Sequence, residues 1–223
     1  MALTSILTGM LILTVTFLIR AEFQGSKTQV YFFKPTSTLI IIGVIILSYF
    51  LDSQAYGYKT AILIAMIFCL GGDIALMFES EKAFKIGLVL FLVGHIFYGG
   101  IITYFNDFAA FDSVYTTIVI LLGLPIFFFL YPGLEKLKVP VIFYMIVISF
   151  MLNAALLSFD SAYFNELQAW HLALGAGLFY LSDVMLAINK FRFPFKLNRI
   201  SLAFYFSGQL LLALSTHYIN LPA

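Results

Sequence analysis

The chain has 223 residues, 62% of them hydrophobic and only 10% charged, with a formal net charge of +1. Soluble globular domains carry about a quarter charged residues, so a surface this poor in charge needs lipid rather than water as its main solvent. The near-zero balance offers no footprint for a nucleic acid. The single cysteine, Cys69, excludes an intrachain disulfide and a thiolate metal cluster.

A helix needs about 20 apolar residues to cross a hydrocarbon core of about 30 Å. Eight segments qualify: 3–19, 35–51, 59–78, 86–105, 113–131, 139–158, 167–188 and 200–219. They are apolar throughout instead of alternating, which predicts helices and not a barrel. Residues 1–19 lack the basic start and small-residue cleavage site of a signal peptide, so they read as a retained first span. The second span opens on Lys34-Pro35, with the proline expected in the first turn. The third holds Gly71-Gly72-Asp73 and, among Ile67, Phe68 and Leu70, a thiol expected to be buried and inert. His95 lies mid-way along the fourth span, Tyr144 about one turn into the sixth. In the seventh a run from Ala173 to Gly177 suits close helix packing and precedes Asp183. The eighth carries Tyr205 and Gln209, i and i+4 on one face. The expected fold is an all-α integral membrane protein, a single eight-helix domain over residues 1–223.

Loop charges orient it. The odd-numbered loops hold Arg20, Lys27, Lys34, Lys82, Lys85, Lys136, Lys138, Lys190, Arg192, Lys196 and Arg199, eleven of the twelve basic residues; only Lys59 falls in an even loop. The positive-inside rule puts the odd loops in the cytoplasm and both termini on the other side. In a bacterium the membrane would be the cytoplasmic (inner) one.

A shift of 110 residues lays the first four spans on the last four. Asp73 falls on Asp183, Lys34 on Tyr144 and His95 on Tyr205. A 4+4 internal repeat, about 1–110 and 111–223, is the expectation, with the halves related by an axis along the membrane normal.

Intramembrane ionisable groups are costly and usually face a cavity or a partner. Asp73, Asp183, Lys34, Tyr144, His95 and Gln209 all fall in the cytoplasmic half of their spans, where they could line one cavity. Each also has a plainer reading. Asp73 could snorkel to Lys82 or Lys85, and Asp183 to Lys190. His95 could be a satisfied packing histidine. His171 and His217 lie toward the outer ends of their spans, too far to join His95 in a metal site, and no ligand spacing for zinc is visible.

These residues resemble the YhhN family of membrane proteins, which includes the lysoplasmalogenases. The resemblance covers nearly the whole chain. It rests on Lys34-Pro35, Gly72-Asp73 with Leu76 and Met77, Gly94-His95 with Tyr98, and Tyr144 with Met151. It continues through Gly175-Ala176, Phe179, Ser182-Asp183-Val184-Met185-Leu186-Ala187, Phe191 and Gln209-Leu210. What it implies is hydrolysis of the vinyl ether bond of a lysophospholipid, giving a fatty aldehyde and a glycerophospho-amine, with no cofactor. By the same resemblance Asp73 and Asp183 are the catalytic pair. Lys34, His95, Tyr144, Tyr205 and Gln209 would then support them or bind substrate.

The chemistry suits two carboxylates. Protonation of the carbon β to the oxygen gives an oxocarbenium ion, which water attacks. The reaction asks for a proton donor, a base and nearby negative charge. Which aspartate is acid and which base is open at this point. A proton-coupled transporter of a lipid or small solute is the competing expectation, because repeated halves and paired intramembrane carboxylates suit it too.

Overall fold

The computed structural model describes residues 2–51, 55–106 and 113–217. Among these are eight long helices: α1 (Ala2–Gln24), α2 (Lys27–Leu51), α3 (Tyr56–Ala75), α4 (Glu81–Phe105), α5 (Ser113–Leu130), α6 (Lys138–Leu157), α7 (Glu166–Phe191) and α8 (Ser201–Leu214). All eight stretches are long and apolar enough to cross a bilayer. The protein is an all-helical integral membrane protein.

Its burial pattern is that of a molecule solvated by lipid. Phe50, Phe128 and Leu121 lie on the outside, whereas Lys34, Asp73, His95 and Gln209 are buried. Hydrocarbon welcomes the first set and cannot hydrate the second, so the polar groups turn inward to find partners. Cys69 is buried and unpaired, as its apolar neighbours predict.

The predicted spans match the helices in number and order. Several boundaries shift by a few residues (α1 runs on to Gln24 and α4 starts at Glu81), and two of the shifts bear on the polar residues. Helix α2 starts at Lys27, and Pro35 sits inside it rather than in its first turn. The stretch 27–34 reads as loop in the sequence because it holds two lysines and ends at a proline. In the fold, a tight turn at Gly25 (φ 68°) and Ser26 restarts the chain at once. Pro35 removes one rung of the backbone ladder. The next two side chains then fold back on the helix: Thr36 and Ser37 hydroxyls donate to the carbonyls of Phe32 and Phe33 at 2.6 and 2.9 Å. Helix α3 ends at Ala75, so Asp73 lies in its last turn, whereas α7 continues eight residues past Asp183. The two aspartates therefore do not hold equal positions relative to their helix ends. The predicted end of the eighth span lies beyond the described residues, α8 itself closing in a single 3-10 turn at Ser215–His217.

The basic loops gather at one end of the bundle. Lys27 pairs with Glu79 at 3.0 Å, Lys190 lies over the Phe84 ring and Arg199 over Phe23, and Phe84 meets Phe191 edge-on. At the opposite end, the Tyr58 and Ser215 hydroxyls meet at 2.6 Å, and Asn106 Nδ2 donates to the Ala154 carbonyl at 3.0 Å. Caps fix two entries: Ser80 accepts from the Ala83 amide at the start of α4, and Asn165 with Gln168 forms a capping box on α7.

Helices α7 and α8 touch backbone to backbone. A β-carbon placed on Gly208 would lie 2.7 Å from the Gly175 carbonyl oxygen and 2.9 Å from the Phe179 nitrogen. One placed on Gly175 would meet the Gly208 oxygen at 3.0 Å. Small residues at such a contact let van der Waals packing do what hydrophobic burial cannot do inside lipid. Gly208→Val is expected to cost about 1–3 kcal/mol by forcing the helices apart. The check is a lowered melting temperature in detergent, read by a thiol-reactive dye that reaches Cys69 only on unfolding; an unchanged value would contradict the contact.

Candidate functional site

The two aspartates organise two clusters near the basic end of the bundle. Asp73, on the last turn of α3, is 1% exposed. Its Oδ2 accepts from the Thr38 hydroxyl at 2.6 Å and the Tyr205 hydroxyl at 2.8 Å. Its Oδ1 lies 3.7 Å from the Lys34 ammonium. Lys34 and Thr38 are one turn apart on α2, so a single helix face delivers both donors. Each of these neighbours gives a proton or a positive charge, the surroundings that a carboxylate anion requires where water is scarce.

Asp183, on α7, is held differently. Its Oδ2 accepts a hydrogen bond from the Tyr144 hydroxyl of α6 and lies 3.9 Å from His95 Nε2 of α4. No lysine or arginine pairs with it among the described residues. His95 Nδ1 lies 2.6 Å from the Phe91 carbonyl oxygen, which can only accept, so Nδ1 carries the proton. The opposite nitrogen, Nε2, is buried without a hydrogen bond and is directed at Asp183. In the neutral ring this Nε2 is a bare lone pair facing a carboxyl oxygen. A single proton supplied to either group would join them.

Aromatic rings connect the clusters. Phe179 packs at 5.1 Å from Tyr205 and 4.6 Å from His95, and Phe91 meets both Phe179 and Tyr205 edge-on. A pocket of about 70 Å³ opens beside Asp183 and Tyr144, walled by apolar side chains such as Phe84, Leu88, Ile126 and Met145.

Of the residues singled out in the sequence, Lys34 and Tyr205 sit on Asp73, and Tyr144 and His95 on Asp183. Gln209 does not reach either aspartate; its Oε1 accepts from the Tyr98 hydroxyl at 2.8 Å, one layer deeper in the bundle. The snorkelling pairs are not made. Lys85 binds Glu81 at 2.6 Å, and Lys190 lies over Phe84. His217 Nε2 lies 2.9 Å from the Val44 carbonyl and His171 Nδ1 2.7 Å from the Leu167 carbonyl, both away from His95. No group of three metal-ligating side chains converges among the described residues. Thr38 escaped notice in the sequence, although its place one turn beyond Lys34 was a usable signal.

The contacts obey the 110-residue offset. Lys34 meets Asp73 as Tyr144 meets Asp183, and each aspartate takes its other partner from the far half of the chain, Tyr205 for Asp73 and His95 for Asp183.

Comparison with known proteins agrees with the sequence resemblance. The model of the YhhN family matches residues 29–216. Lysoplasmalogenase TMEM86A of Bos taurus is 32% identical over 162 residues, which is 70% of this chain and 65% of the relative. Lysoplasmalogenase TMEM86A of Homo sapiens is 29% identical over 168 residues, 72% of this chain and 67% of the relative. The chain thus spans about two thirds of the length of these relatives. No solved structure matches.

The Lys34–Asp73 pair gives a stability test. Lys34→Met leaves a buried carboxylate without its cation and is expected to cost about 3–5 kcal/mol. Lys34→Met combined with Asp73→Asn should cost less than the single change, because no uncompensated charge remains. Melting temperatures of the four proteins of this cycle decide the matter, and a double variant worse than the sum of the singles would contradict the pairing.

Proposed function

The chain belongs to the YhhN family, and from that premise we propose that it is a membrane-embedded hydrolase that cleaves the vinyl ether bond of lysoplasmalogens. The observation that carries the proposal is the pair of unlike carboxylates, one ringed by donors and the other facing an apolar pocket. The names of the two mammalian relatives support the same substrate class.

In this reading the aspartates divide the work. Asp183 is the proton donor, since it lines the pocket that the alkenyl chain enters. It passes its proton to the vinyl carbon β to the ether oxygen, and the adjoining carbon becomes an oxocarbenium ion. Asp73 stays an anion throughout, because both of its oxygens are engaged by Thr38, Tyr205 and Lys34. Its negative charge favours the cation that forms nearby. Water then adds to the cation and returns a proton to the Asp183 carboxylate, with His95 Nε2 alongside to share it. The hemiacetal falls apart into aldehyde and alcohol, so the net reaction consumes one water and restores both aspartates.

Tyr144 holds Asp183 in place through its hydroxyl, and the carbonyl of Phe91 fixes the His95 tautomer. Gln209 acts at one remove, through Tyr98. The reciprocal contacts across the 110-residue offset support a duplicated 4+4 origin, with the site on the pseudo-axis. The clustering of basic loops at the same end supports a site opening toward the cytoplasmic leaflet.

Detergent-purified protein with an alkenyl lysophospholipid should release free aldehyde, and the saturated ether analogue should not. Asp183→Asn is expected to lower kcat by about a hundred- to ten-thousand-fold, and Asp73→Asn by about a hundredfold or more. Tyr144→Phe should lose less, since it leaves the carboxyl group present. Aldehyde release that survives both aspartate changes would refute the assignment. Proton-gradient-driven uptake into vesicles without any aldehyde would favour transport instead.

A further inference from the structure

Helix α5 stands off from the bundle in a way that α1 does not. Helix α1 packs against α2 and α8. Helix α5, four helices later, packs against α6 and α7. Between α5, α4 and α6 lies a cavity of about 920 Å³ whose wall includes Ile96, Val119, Ile120, Leu124, Ile146 and Phe150. Of these Ile96, Ile120, Leu124 and Ile146 are exposed on the outside of the bundle, so the cavity opens sideways into hydrocarbon.

This cavity adjoins the catalytic pocket. Met145 lines both. Gly123 of α5 lines the larger one, and a β-carbon there would meet Tyr180 Oη at 3.4 Å and Ser149 Oγ at 3.6 Å. Tyr180 is a wall of the pocket at Asp183. Gly123, Tyr180, Ser149 and Met145 therefore form the neck between the two spaces, and the missing side chain at position 123 keeps that neck wide. At its far end the large cavity meets a polar stop, where the Thr116 hydroxyl donates to Asn153 Oδ1 at 3.2 Å. From Met145 to Asn153 along α6 is about 12 Å at the helical rise per residue.

We propose that the two spaces form one channel for the single unbranched chain of the lysophospholipid. The chain starts at Asp183, passes Gly123, and ends against the Thr116–Asn153 pair, which limits its length. The proposal rests on the hydrolase reading for the identity of the chain. The channel's apolar lining, its continuity with the pocket at Asp183 and its sideways opening to the bilayer match that occupant. A head group would find only Thr116, Ser149 and Asn153 to bind there.

Saturated ether lysophospholipids, which the reaction cannot cleave, test the channel by displacement of a labelled lysolipid from the purified protein. Butyl and decyl chains are compared in the wild type, in Gly123→Leu and in Ser149→Phe, which plugs the same neck from α6; the short chain stays in the pocket at Asp183 and the long one must pass the neck. Decyl binding should weaken tenfold or more in both variants and butyl binding should stay within twofold. The ratio of kcat/KM for decenyl over butenyl substrates should fall in step. Equal losses for both chain lengths in folded variants, or no change in either, would overturn the channel. A failure of every ether lysolipid to bind the wild type would overturn it too. Chain-length-dependent binding without aldehyde release from any substrate would remove the hydrolase reading and leave the channel standing.

Discussion

A negative charge survives inside a bilayer only where enough donors surround it to replace water, and that constraint shapes the middle of this protein. Asp73 recruits a hydroxyl and an ammonium from α2 and a second hydroxyl from α8. Meeting that demand draws three helices together at one point. The proline in α2 lies within a turn of Lys34 and Thr38, at the point where the helix lacks one backbone hydrogen bond. The second carboxylate is under less pressure, with one tyrosine, a distant imidazole and an opening onto a pocket. Two residues of the same type thus receive unlike surroundings.

The 110-residue offset sets the two clusters side by side. At the place where the first half has Lys34, the second has Tyr144; where the second has Tyr205, the first has His95. One cluster keeps a fixed positive charge and a phenol. The other has a phenol and an imidazole whose bare Nε2 faces the carboxyl group. Thr38, which also bonds Asp73, has Ile148 at the corresponding place, so three positions make the two clusters unlike.

The eight helices were legible because a crossing segment announces itself by length and apolarity, and Asp73, Asp183, His95 and Lys34 because charge among apolar residues is conspicuous. The start of α2 was not legible: Lys27, Gln29 and Lys34 look like loop, and only the tight turn at Gly25 shows that the helix has already begun. Thr38 was hidden for another reason. A threonine in a helix ordinarily bonds its own backbone, and only its place one turn beyond Lys34 hints that it reaches across to α3. Gln209 stood out for its polarity and its spacing from Tyr205, yet Tyr98 claims it first. The space beneath α5 depends on how far one apolar helix leans from another, and hydropathy carries no record of that.

The contact between Gly175 and Gly208 bears on how the molecule moves. With their backbones touching, α7 and α8 have no slack to slide or rotate against each other, so Asp183 and Tyr205 travel as parts of one rigid piece. Through Tyr205 that piece also holds Asp73. Breathing of the bundle then falls to the loosely seated α5, which carries Pro125 one turn from its outward-facing midpoint. The lipid-facing side beneath α5 is open, whereas the side that carries the carboxylates is closely joined. The protein separates the part that must be accurate from the part that must yield.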